Sequence, residues 1–121
     1  MILVDSSVWI EHLRRGVPEL VSALNGGKVL CHPFVIGELA LGNLGRRANI
    51  IEDLRNLPKA PVAEDDEVLA FIERQGLYGR GIGYVDAHLV ASVRLTGSAR
   101  LWTLDRRLGE VAGEMGVAVK L

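Results

Sequence analysis

The chain has 121 residues and a formal net charge of -1, which bounds it to a single domain, 1–121, with no global basic field to steer it toward nucleic acid. Hydrophobic residues make up 49%, enough for a core without disulfide staples, and the single cysteine, Cys31, excludes an intrachain disulfide. The amino terminus lacks the basic segment of a signal peptide, and no apolar run is long enough to cross a membrane, so a soluble, cytoplasmic protein is expected.

Ile2 to Val4 reads as a short buried strand. Ser6 and Ser7 open a helix through Arg15, with Val8, Trp9, His12 and Leu13 at helical spacing. Pro18 fits the first turn of a second helix that Asn25-Gly26-Gly27 ends. Lys28 to Cys31 is the second strand, and Cys31 reads as a buried, inert thiol. Pro33 starts a helix through about Leu44, and Arg46 to Leu57 forms another, stopped by Pro58 and Pro61. Val62 is a candidate for a short strand. The acidic run Glu64-Asp65-Asp66-Glu67 suits the first turn of a helix reaching Gln75. Gly76 to Gly83 is a loop, Tyr84 to Leu95 a helix, Arg100 to Leu104 a strand, Asp105 to Glu114 a helix, and Val117 to Val119 a last strand. Strands alternating with helices imply an α/β fold: a central parallel sheet of about four or five strands with helices on both faces. Ligand sites in such sheets form beyond the carboxyl ends of the strands.

Four acids stand in or beside apolar stretches: Asp5 after Ile2-Leu3-Val4, Glu38 within Ile36-Gly37-Glu38-Leu39, Asp86 within Tyr84-Val85-Asp86-Ala87, and Asp105 after Leu101-Trp102-Thr103-Leu104. A buried carboxylate is costly unless paired, protonated or bound to a cation. Each has a plain reading as well. Asp5 and Asp105 suit helix N-caps, and Asp86 lies in a first turn where the helix dipole tolerates it. Glu38 is the hardest to dismiss, because on a helix it shares a face with Phe34, Val35 and Leu41. Taken together the four suit a magnesium or manganese ion, which takes hard oxygen ligands and keeps several waters. Hydroxyls of Ser6, Ser7 or Thr103 are placed to support that shell.

Other chemistries find no footing. Gly79-Arg80-Gly81-Ile82-Gly83 follows a helix and lacks dinucleotide-binding spacing, and there is no phosphate-loop lysine. His12, His32 and His88 have no zinc spacing with one another or with Cys31. His88, two residues after Asp86, reads as a packing or surface histidine. Eleven arginines against three lysines, in pairs such as Arg14-Arg15, Arg46-Arg47 and Arg106-Arg107, suit phosphate recognition or solvated helix faces.

With these residues in place, the chain resembles the PIN-domain family, and within it the VapC-type toxins of type II toxin–antitoxin pairs. Met1 to Ile10 resembles the family's opening strand, first acid and hydroxyl-bearing turn. Ile36-Gly37-Glu38-Leu39, Gly81 to Ala91 and Leu101 to Leu108 resemble its later motifs. The resemblance covers essentially the whole chain. It implies a PIN-like α/β/α sandwich and a magnesium-dependent endoribonuclease that cuts RNA and blocks translation. It implies a homodimer and a cognate antitoxin with a segment laid across the active site. On this reading Asp5 and Asp86 are the chief metal ligands, and Glu38 and Asp105 bind directly or through water. Arg80 is the candidate for gripping RNA phosphates, because its loop leads into the Asp86 helix. Two rivals remain from other classes: a PIN-like module that only binds partners, and a phosphoacceptor receiver domain. The receiver lacks support, since Asp5 has no adjacent acid and Lys120 is nearly terminal.

Overall fold

A computed structural model of the chain describes residues 1–121. The central strand β1 (Ile2–Val4) pairs in parallel with β2 (Val29–Leu30) on one side and β3 (Arg100–Trp102) on the other. The registers set Leu3 opposite Leu30 and Leu101, and Val4 opposite Trp102. All these residues are buried. A strand covered on both faces needs no polar alternation, which is why β1 reads as a continuous apolar run.

The sheet has three strands, not four or five. The two remaining extended segments each make a single bridge: Cys31 with Lys59 at the β2 edge, and Leu101 with Ala118 at the β3 edge. Pro58 and Pro61 flank the first bridge, and neither carries an N–H for a longer ladder. Val62, expected in a strand, lies beyond that bridge and belongs to no strand. The carboxyl-terminal segment is held by two bonds, Leu101 N–H to Val117 O (2.7 Å) and Val119 N–H to Leu101 O (2.9 Å).

Seven helices join these strands. They are α1 (Ser6–Arg15), α2 (Pro18–Asn25), α3 (Pro33–Ala40), α4 (Arg47–Arg55), α5 (Asp65–Gln75), α6 (Tyr84–Thr96) and α7 (Arg106–Glu114). Proline opens α2 and α3 at the first turn, where its missing N–H costs nothing. α3 packs against α1 and α4, while α5 packs on α6, which lies on β3. Ala87 to Val93 are all buried, so α6 is the innermost helix. α7 buries Leu108, Val111 and Ala112 at helical spacing and turns its charged residues outward. The buried apolar residues form one cluster of 29. No helix is long and apolar enough to cross a membrane. Cys31 is buried, and burial pushes its thiol up to about 11, as an inert core thiol requires.

Candidate active site

Because β1 and β3 run parallel side by side, the residues that follow them emerge at the same sheet edge. The last bond between them is Asp5 N–H to Trp102 O (2.9 Å). Asp5 then occupies the N-cap position of α1, but its carboxylate does not make the usual bonds to the second or third helical N–H. Oδ1 accepts from Ser6 N–H (2.7 Å). Oδ2 accepts from the Ser7 hydroxyl (2.8 Å) and the Thr103 hydroxyl (2.7 Å), the latter 98 residues away in sequence. Ser7 Oγ in turn accepts from Leu104 N–H (2.9 Å), and Thr103 Oγ1 from Asp105 N–H (3.0 Å). This mesh fixes both Asp5 oxygens and ties the end of β3 to the start of α1.

The other acids come from separate elements. Glu38, near the end of α3, accepts from the Ser6 hydroxyl (3.2 Å). Asp86, in the first turn of α6, accepts from Gly83 N–H (3.1 Å). Asp105 caps α7 by accepting from Leu108 N–H (3.0 Å), so its plain reading as a helix start is realised alongside any other role. The supporting hydroxyls Ser6, Ser7 and Thr103 all contact one of these carboxylates.

Burial falls away across the set. Asp5 is 4% exposed. Asp86 is half-buried, and Glu38 and Asp105 are exposed. Glu38 is therefore not the buried anomaly its sequence context suggests. α3 ends at Ala40, so Leu41 leaves the helical stripe and stands 90% exposed. Asp5 is the buried member of the set, and the other three reach toward solvent.

Their charges still feel one another. Glu38 is raised above its ordinary value, first by partial loss of water around its carboxylate and then by Asp5 and Asp86, against the Ser6 bond that lowers it. Asp86 is raised in the same way, by burial first and by the charges of Asp5 and Asp105, against the Gly83 bond. None of the four carboxylates has a lysine, arginine or histidine in ion-pair contact; the ion pairs of the molecule lie elsewhere. A like-charged set of hard oxygen donors without a basic partner fits a hard divalent cation. No three of these groups converge into a ready-made cage.

Arg80 is engaged by Glu114 in an ion pair, which ties the Gly79–Gly83 loop to α7. His88 is buried, as a packing histidine should be, with its ring edge-on to Phe34 and Tyr84. Its Nε2 meets Asp65 (3.2 Å), which also accepts from the Tyr84 hydroxyl (2.7 Å). Sequence pattern reads Asp65 only as a first-turn acid. No local signal marks its link to α6, because the partners are 19 and 23 residues away.

The chain matches the family model of the PIN domain over residues 2–114. It is 52% identical over 119 residues to a protein named Ribonuclease VapC32 in two strains of Mycobacterium tuberculosis, covering 98% of this chain and 96% of the relative. Among solved structures, it is similar in fold to FitAcB from Neisseria gonorrhoeae, with a TM-score of 0.66 and 22% identity over 100% of this chain and 97% of that one. It is likewise similar to FitAB bound to an IR36 DNA fragment, with a TM-score of 0.65 and 21% identity over 99% of this chain and 94% of that one.

Proposed function

The chain belongs to the PIN-domain family, and from that premise we infer that it is a ribonuclease, the toxin of a VapC-type toxin–antitoxin pair. The observation that carries the reading is the gathering of Asp5, Glu38, Asp86 and Asp105 at one sheet edge, from four separate segments and with no basic partner. Acids so arranged serve metal-assisted phosphodiester hydrolysis, and the family uses divalent metal ions. Magnesium is the proposed ion, RNA the substrate, arrest of translation the outcome, and a cognate antitoxin the restraint.

Asp5 and Asp86 would hold the ion, and Glu38 and Asp105 would reach it through water at the exposed rim. When bound, the ion neutralises the cluster and polarises the scissile phosphate toward water attack. Thr103 and Ser7 hold Asp5 Oδ2 in one orientation, so that it need not reorganise as substrate arrives. Ser6 Oγ lies between Asp5 Oδ1 (3.4 Å) and Glu38 Oε1 (3.2 Å), and its one hydrogen is shared between the two carboxylates.

Cleavage of total RNA tests the reading, with magnesium, with EDTA and with Asp5→Asn. Cutting is expected only in magnesium with the unaltered chain. Cutting that survives EDTA or the substitution would sink the metal mechanism, and no cutting under any condition would favour a partner-binding module. Sedimentation of the purified protein tests the proposed homodimer.

A further inference from the structure

We propose that Arg107 is a phosphate-binding residue that holds the RNA backbone on the Asp86 side of the acid cluster; the inference rests on the ribonuclease reading above. Arg107 lies in the first turn of α7, just after the Asp105 cap. Its side chain runs back over Gly81, the glycine two residues before the Gly83 N–H that binds Asp86. Gly81 has φ +80, a conformation that favours glycine, and a Cβ there would overlap the Arg107 guanidinium and come within 2.7 Å of its Cδ. Glycine at this position both turns the loop and gives the arginine a seat. The guanidinium is thereby parked beside the loop that fixes an active-site acid.

Among the arginines of this loop and of α7, Arg107 alone lacks an anion. Arg106 pairs with Glu110 and Arg80 with Glu114, whereas Arg107 is exposed and has no carboxylate partner. An RNA backbone approaching four acids on a molecule of net charge -1 meets repulsion. A guanidinium seated on the loop that leads to Asp86 offsets it, and its planar fork matches two phosphate oxygens. Arg80, the sequence candidate in the same loop, already spends its charge on Glu114.

Binding of a labelled single-stranded RNA, read in EDTA across a potassium chloride series, tests this for Arg107→Ala, Arg107→Lys and the control Arg106→Ala. Arg107→Ala should weaken binding about fivefold or more and flatten the slope of log affinity against log salt by about 0.7. Arg107→Lys should keep the slope and lose part of the affinity, and Arg106→Ala should change neither. With magnesium, the cleavage defect of Arg107→Ala should fall on KM rather than kcat. Wild-type affinity and slope in Arg107→Ala overturn the proposal, as does a defect confined to binding the cognate antitoxin. If the unaltered chain fails to cut RNA in magnesium, the ribonuclease reading falls, and the EDTA series still decides Arg107.

Discussion

Thr103 is the residue whose removal isolates the role of Asp5. Thr103→Val keeps the shape and deletes one hydroxyl, leaving Asp5 Oδ2 with Ser7 alone and Asp105 N–H without its acceptor. RNA cleavage should fall about 10–100-fold, with a higher magnesium requirement and an unchanged circular dichroism spectrum. Wild-type cleavage at limiting magnesium would show that Asp5 needs no such support. Asp86→Asn should act in opposite directions on stability and activity. Its carboxyl is raised by burial and by Asp5 and Asp105, so its charge works against the metal-free fold. In EDTA at neutral pH the variant should melt higher, while cleavage in magnesium is lost; an equal or lower melting temperature would show that the Asp86 charge does not oppose the metal-free fold. At this scale the acids were legible in sequence because charge beside strand ends is conspicuous. Their surroundings were not. The exposure of Glu38 follows from α3 stopping at Ala40, and the seat of Arg107 on Gly81 joins residues with no sequence relation.

Among the elements, α3 carries a titratable group in an unusual place. His32 is its N-cap, accepting from Phe34 N–H through Nδ1 (3.0 Å), and is fully buried with no partner for Nε2. Burial first, and the charge of His88 second, push its ring down to about 4. Above pH 6.5 the ring is neutral in both folded and unfolded chains. Between 6.5 and about 4 only the unfolded chain takes up the proton, so this group costs stability as pH falls through that window. The raised carboxyls of Glu38 and Asp86 act with the opposite sign, since the folded chain protonates them first. The urea midpoint of Asp86→Asn, freed of one opposing group, should therefore drop from pH 7 to pH 5. Adding His32→Asn, which keeps a side-chain acceptor for the cap, should flatten that drop; an unchanged slope would exonerate His32. Helix starts and stops were legible because proline and glycine mark them chemically, as at Pro18, Pro33 and Gly76. The sheet edges were not, because an apolar run such as Val117-Ala118-Val119 looks the same whether it makes one bridge or a full strand.

Across the whole molecule, stability and chemistry occupy different ground. The cluster of 29 apolar residues surrounds β1, and the acids sit beyond its end. Cation binding at that edge should stabilise the folded chain by linkage, about 1.4 kcal/mol at tenfold excess over Kd. The melting temperature should rise with magnesium at pH 7.5 and stay flat in Asp5→Asn. The rise should shrink as pH falls, because Glu38 and Asp86 hold protons above their ordinary ranges and a proton competes with the ion. A rise that survives Asp5→Asn would place the ion elsewhere.

The hydrogen bond from Thr103 to Asp5 has a consequence for the chain during its synthesis. β1 is made first, yet one flank of the sheet and the support of its acid arrive only with residues 100 to 105. A growing polypeptide that has not released this last stretch from the ribosome holds Asp5 without its partner strand, and the acid-bearing edge is incomplete. Contacts so distant in sequence also form late in folding. A truncated product lacking β3 would keep Asp5 but lose both the neighbouring strand and the hydroxyl that supports its carboxylate.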